Sequence, residues 1–342
     1  MRLFQVIILF LLVTLPFAAA ALAQDQAARS VTAEAINAAD LTTLAADFEA
    51  EQETGSDDRP PPPDTPDPAI VKLQILLDRA GASPGVIDGF DGDNVRKAVR
   101  AFETMQGMEA NGSLDADMLG ALDTTEPVIG SYTISPEDVA AIVPPIPEDY
   151  AEKAERDFLG YASVPELLAE RFHMDEDLLV ALNPGAAFAA GEAVAVAGYG
   201  PDREGKVARI EADKAARQLR AYDADDRLLV AYPATIGSET NPSPAGTHLV
   251  SAVAPMPNYT YNPDINFQQG ENTEVLVIPP GPNGPVGSMW IDLTEPTFGI
   301  HGTPEPSKID KTASHGCVRL TNWDAEELAK MVEPGVPVEF MG

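Results

Sequence analysis

The spacing of apolar residues along this chain changes several times, and each change predicts a different kind of element. Leu3 to Ala21 are apolar apart from Gln5, Thr14 and Pro16. Ile70, Leu73, Leu76 and Leu77 recur at helical spacing, as do Val95, Ala98, Val99 and Phe102. Gly81, Pro84-Gly85, Asp88-Gly89 and Asn111-Gly112 punctuate that helical stretch. Residues 164–172 and 177–182 read as helices, followed by the strand-like Ala193-Val194-Ala195-Val196. From Arg203 the pattern becomes β: residues 208–212 and 218–222 alternate, and Asp223-Ala224-Asp225-Asp226 turns the chain into a third strand over 228–232. Prolines and glycines through 233–287 leave room only for short strands and loops. Helical period returns at Ala325, Leu328, Ala329 and Val332, behind the capping pattern Thr321-x-x-Asp324.

Proline clusters divide these elements. Residues 24–58 are polar, Ala-rich and acidic without sustained periodicity, and are expected to be disordered or loosely helical. Residues 60–68 form a proline-rich spacer of about 28 Å at ~3.1 Å per residue. Pro144-Pro145-Ile146-Pro147 marks a second joint. The expected plan is a signal peptide at 1–23, a linker at 24–68, a helical domain at 69–122, a linker at 123–154, an α+β module at 155–198 and a mainly-β domain with one C-terminal helix at 203–340.

Arg2, the apolar run and the small-x-small site Ala21-Leu22-Ala23 read as an export signal, which places the protein in the periplasm. The run approaches spanning length, so an uncleaved inner-membrane anchor is the alternative. No cysteine follows it, which excludes a lipid anchor of the bacterial lipoprotein kind. A net charge of −32 argues against nucleic acid, whose phosphates would repel the chain. The excess lies in front, with 11 Lys and Arg against 35 Asp and Glu in 1–202, and 11 against 19 in 203–342.

Cys317 is the only cysteine, so its thiol is free, and it lies between Gly316 and Arg319 rather than in an apolar element. His301 lies sixteen residues upstream, after Phe298 and Ile300, and strand alternation turns it away from the core. A thiol, an imidazole to deprotonate it and a glycine-flanked turn that bares N–H groups are the parts of a cysteine acyl-transfer site. Pairing with His301 is expected to enlarge the thiolate fraction of a thiol whose ordinary pKa is about 8.5. His315 is expected to fix the turn with its side chain, and His173 and His248 to be incidental. No metal is expected: His301, His315 and Cys317 lack a second ligand pair with zinc spacing, and Phe90 and Val95 spoil the calcium-loop look of residues 88–93.

His301-Gly302-Thr303, then Ser314-His315-Gly316-Cys317-Val318-Arg319-Leu320, with Asn322 and Asp324, resembles the catalytic signature of the L,D-transpeptidases (YkuD type). Asn241-Pro242-Ser243-Pro244-Ala245-Gly246-Thr247 resembles that family's strand entry, with Ser243 in the usual Thr position. The resemblance covers 203–340 and implies a β-sandwich-like peptidoglycan transpeptidase without cofactor. It implies Cys317 as nucleophile, His301 as general base and acid, and the Gly302 carbonyl orienting His301. It also implies an oxyanion hole from the N–H groups of His315, Gly316 and Cys317, and substrate contacts from Arg319, Ser314 and Trp290. Arg319 would meet a substrate carboxylate or pair with Asp324. The implied reaction joins the third residues of two stem peptides through a thioester. Water as acceptor would give a carboxypeptidase or endopeptidase, and a protein amine an anchoring transferase.

Gly85-Val86-Ile87-Asp88-Gly89, residues 98–103 and Gly112-Ser113-Leu114 resemble the three-helix peptidoglycan-binding domain, with Glu103 in place of the commoner Gln. Leu182-Asn183-Pro184-Gly185 is the best-matching piece of a degenerate LysM-like module, whose opening strand is poorly marked. These front units would engage stems and glycan strands, and acylation by a small β-lactam is expected to need only 203–340.

Overall fold

The computed structural model describes residues 31–54, 64–122, 125–237, 241–312 and 314–342. The expected export signal and the first prolines of the 60–68 spacer lie outside the described residues. No helix among the described residues is long and apolar enough to cross a membrane.

The front of the chain is more ordered than its composition predicts. Helix α1 (Ala33–Ala38), a 3-10 turn at Leu41–Leu44 and helix α2 (Ala45–Thr54) replace the expected loose segment. Ile36, Leu41, Leu44 and Phe48 are buried in the same core as the helices that follow. Four apolar residues suffice because each lands on a neighbour: the Arg96 guanidinium lies 3.5 Å from the Phe48 ring centroid. The Asn37 side chain accepts from the N–H groups of Val128 and Ile129 at 2.8 and 2.9 Å.

Helices α3 (Pro68–Arg79), α4 (Asp93–Met105) and α5 (Ala116–Ala121) form the expected helical unit. Asp67 caps α3 by accepting from Ala69 N–H at 2.7 Å, with Pro68 at the first helical position. Buried Gln74 braces the Gly-Val-Ile-Asp-Gly loop, accepting from the Asp88 and Gly89 N–H groups and donating to Asp88 Oδ1. Gly89 has φ +79°, and a Cβ there would lie 2.5 Å from Pro66, so the loop closes only with glycine.

The stretch expected as a 123–154 linker instead opens the next unit. Strand β1 (Ile129–Thr133) pairs antiparallel with β2 (Ala193–Ala197). Between them lie α6 (Pro136–Ala140), α7 (Tyr150–Ala154), α8 (Val164–Arg171) and α9 (Glu176–Leu182). The opening strand was hard to see because thirty residues separate it from α8 and only Ile129 of its five residues is buried. Asn183 ties α9 to β2, donating to Leu179 and Ala195 carbonyls and accepting from Ala195 N–H at 2.7 Å.

The rest is one curved nine-stranded sheet built from β3 (Arg209–Asp213), β4 (Gln218–Tyr222), β5 (Leu228–Pro233), β6 (Thr235–Ile236), β7 (Gly246–Pro255), β10 (Met289–Leu293), β11 (Gly299–His301), β12 (Val318–Arg319) and β13 (Pro337–Met341). Strands β8 (Tyr259–Tyr261) and β9 (Leu276–Ile278) form a separate hairpin, the flap. The sheet order is β5-β4-β3-β13-β7-β10-β11-β12-β6. Long β7 joins the two halves, pairing with β13 over its first residues and with β10 over its last. Helix α10 (Asn322–Met331) buries Ala325, Leu328 and Met331 with both halves of the sheet.

The three units are welded together. Ala82 bridges Ala231 in parallel, so the front unit covers sheet edge β5. His173 is not incidental: Nδ1 lies 2.8 Å from Asp78 Oδ2, and its ring stacks on Tyr199 and Trp323, at centroid distances of 4.0 and 5.1 Å. It thus joins the helical unit, the middle unit and α10. Glu170 of α8 is half-buried against the catalytic domain and accepts from Asn322 Nδ2. Burial, with Glu326 and Glu166 adding repulsion, pushes its pKa up to about 8. A folded pKa above the ordinary carboxylate value contributes stability fully present below about 4.3, and lost as pH rises through about 8. Glu170→Gln keeps the acceptor without the charge. Its melting temperature is expected to match wild type at pH 5 and exceed it by more than about 2 °C at pH 9. Equal melting temperatures at both pH values would contradict the raised pKa of Glu170.

Candidate active site

Parallel pairing of β11 with β12 sets Ile300 opposite Val318 and His301 opposite Arg319, which places Cys317 beside Gly299 at the mouth of the sheet. Leu320 N–H donates to the His301 carbonyl at 2.9 Å and locks the register. Cys317, His301 and Arg319 line one cleft of about 140 Å³ with Trp290, His315, Thr297 and Phe298.

The turn before Cys317 is held from inside. Buried Ser314 accepts from Gly237 N–H at 2.7 Å and Gly316 N–H at 3.2 Å, and donates to the Cys317 carbonyl at 2.7 Å. Ser314 therefore shapes the nucleophile turn and does not line the cleft, contrary to its expected substrate contact. Its hydroxyl has no capacity left for a ligand. Ser243 donates to the Gly316 carbonyl at 2.7 Å, tying the strand-entry motif to the same turn. Gly316 has φ +110°, and a Cβ would sit 2.5 Å from the Phe298 ring.

His301 is buried even though alternation turns it away from the core, because the Trp290 ring stacks on it at 5.4 Å between centroids. Trp290 lies so close that a Cβ on Gly299 would meet it at 2.5 Å. His301 Nδ1 lies 2.7 Å from the Gly302 carbonyl, the expected orienting contact. Gly302 is packed on Asn322, whose Oδ1 would lie 2.0 Å from a Cβ at that position and accepts from Ser288 N–H at 3.0 Å.

Burial pushes the His301 pKa down to about 4, with Arg319 adding repulsion and the Gly302 carbonyl opposing. Burial pushes the Cys317 thiol up, against the Gly299 N–H and Arg319, which favour thiolate. The thiol donates to the Thr297 carbonyl at 3.7 Å. The resting pair is thus neutral thiol and neutral imidazole, and not the expected ion pair: both groups sit where charge is poorly solvated. A neutral His301 can accept the proton as Cys317 attacks. With such a base, the acylation rate is expected to hold level from neutral pH down to about 5, and to fall as His301 protonates near pH 4. A pH–rate profile with its acid limb near 6.5 would contradict this environment.

Arg319 meets no carboxylate among the described residues. Asp324, in the first turn of α10, is buried, and its N–H donates to the Thr321 cap at 3.2 Å. Arg319 keeps its charge on the cleft, where it acts on His301, His315 and Cys317. The exposed His315 ring stacks on Phe267 at 4.3 Å, so its side chain serves the flap and not the turn. Tyr150, Tyr259, Phe267 and Phe298 also line the cleft and carry no motif that singles them out. Tyr150 comes from outside residues 203–340, so those residues alone do not build the whole site.

The L,D-transpeptidase catalytic domain family matches residues 207–340, and the peptidoglycan binding domain family matches 66–122. A Bacillus licheniformis protein named as L,D-transpeptidase YkuD is 32% identical over 179 residues, covering 51% of this chain and 92% of that protein. The chain belongs to the L,D-transpeptidase family. The Bacillus subtilis YkuD is 28% identical over 173 residues, 50% of this chain and 89% of that protein. A solved L,D-transpeptidase from Mycobacterium smegmatis aligns at 18% identity and TM-score 0.33, over 44% of this chain and 74% of that one.

Proposed function

We propose that this L,D-transpeptidase joins peptidoglycan stem peptides through a thioester on Cys317. The observation that carries the reading is the shared cleft of Cys317, His301 and Arg319, with the Gly302 carbonyl fixing His301. Cys317 attacks the amide between the third residue of a donor tetrapeptide and its terminal D-alanine as His301 takes the thiol proton. The proton passes to the departing amine, and the acyl group stays on sulfur. A side-chain amine of a second stem then attacks the thioester and gives a link between third residues. The N–H groups of His315 and Cys317 serve the oxyanion. Gly316 N–H belongs to that set only after it leaves Ser314, to which it donates in this structure. One such donor is worth about 3 kcal/mol in the transition state.

The β1-α8-α9-β2 arrangement supports reading residues 129–197 as a LysM-like module with an insertion after its first strand. With the peptidoglycan-binding unit, it would hold the polymer while the cleft acts on one stem. The proposed location is the periplasm, reached by the apolar leader. Incubating the protein with tetrapeptide-rich sacculi and resolving the muropeptides by mass tests the reaction. Dimers linked between third residues are the expected product; tripeptides alone would mean hydrolysis, and unchanged tetrapeptides would overturn the proposal.

A further inference from the structure

The segment between β1 and α8 belongs to the front of the chain, yet it reaches the catalytic cleft. Its helix α7 packs under the flap: Tyr150 sets its ring edge-on to Tyr259 at 6.1 Å, Tyr261 at 5.2 Å and Phe267 at 6.0 Å. Tyr150 N–H donates to Gln269 Oε1 at 3.0 Å, and Asn272 Nδ2 to Asp149 Oδ2 at 3.0 Å. Further along, Leu159 N–H donates to the Pro280 carbonyl at 2.9 Å, and Leu159 shares a small core with Tyr261 and Ile278. The flap is therefore anchored on this segment by backbone, side-chain and apolar contacts. Aromatic pairs of this kind fix ring orientation as well as adding contact energy.

Held in this way, Tyr150 is half-buried and forms part of the cleft wall with Cys317 and Arg319. Its hydroxyl makes no hydrogen bond among the described residues. Burial raises its pKa to about 12, opposed by the Arg319 guanidinium that lines the same cleft, so the hydroxyl keeps its proton. The described lining holds no Asp or Glu, although the chain carries net charge −32. A cleft whose one guanidinium meets no carboxylate among the described residues, with the phenols of Tyr150 and Tyr259 in an otherwise aromatic, apolar and uncharged polar lining, suits a peptide that brings a carboxylate.

We propose that Tyr150, supplied by the unit in front of the catalytic domain, is a substrate-binding residue whose hydroxyl donates with Arg319 to the C-terminal carboxylate of the donor stem. The inference rests on the stem-peptide reading above and adds the residue that recognises the stem's charged end. It also makes the front of the chain a part of the site, and not only a tether for the polymer.

The test is D-alanine release from two soluble donors, a tetrapeptide with a free C-terminus and the same peptide as its C-terminal amide, by wild type and Tyr150→Phe. Phenylalanine keeps the ring contacts, so the flap stays anchored and the melting temperature is expected to be unchanged. Loss of one hydrogen bond to a charged group is expected to raise KM for the free acid roughly 10-fold, with kcat within about twofold. The amide donor, which offers no carboxylate and releases D-alanine amide, is expected to show the same KM with both proteins. Unchanged KM for the free acid, or an equal rise for both donors, would overturn the proposal. A wild type that releases neither product from either donor would instead remove the stem-peptide reading, and this inference with it.

Discussion

Cys317→Ala is expected to stop D-alanine release from a tetrapeptide donor altogether, while the melting temperature stays within about 2 °C of wild type. No other thiol exists in the chain to take over. The half-buried thiol donates to the Thr297 carbonyl at a long 3.7 Å and faces the Gly299 N–H, and sulfur is a weak donor and acceptor, so removing it costs the fold little. The turn keeps its geometry because Ser314 holds it through the Gly237 and Gly316 N–H groups and the Cys317 carbonyl, none of which involves sulfur. Release assays with calorimetry on the same samples check both halves. Turnover above the buffer rate in the folded variant would remove Cys317 from the chemistry.

The second large effect is at the base. His301→Ala is expected to slow acylation by roughly 10²–10⁴-fold, the usual contribution of a positioned proton acceptor. His315→Ala is expected to change it by less than about 10-fold, because its ring stacks on Phe267 at the flap and its backbone is kept. The contrast follows from position: His301 is buried under Trp290 and fixed by Gly302, whereas His315 is exposed. Single-turnover acylation rates separate the two. Equal, small losses in both variants would mean that another group takes the proton.

The catalytic strands, the closing helix and the Cys317, His301 and Gly302 constellation were legible in sequence because each carries a local signal. Alternation marks β3 to β5, and a capping pattern marks α10. The nucleophile motif holds Ser314 to Cys317 in one short turn that leads into β12, where spacing and geometry coincide. Long-range packing was not legible. Phe48 and Ile36 gave no periodicity, and their burial depends on helices that lie beyond a proline spacer. Strand β1 was hidden because its partner β2 lies sixty residues away and one face is polar. Ser314 read as a ligand contact because a motif reports that a hydroxyl is present but not which way it points. Alternation turns His301 away from the core but cannot see Trp290 folding over it from the neighbouring strand. Tyr150 had no signal at all, since its role appears only when α7 meets the flap.

The central intermediate is a covalent acyl group on one sulfur, that of Cys317. Intact-protein mass spectrometry after mixing with a tetrapeptide donor, quenched in acid before an acceptor amine is added, measures it directly. A single adduct of the donor's mass less D-alanine is expected, mapped by digestion to the Cys317 peptide and discharged when a stem amine is supplied. Donor consumption with no adduct at any quench time, or an adduct on any other residue, would contradict it.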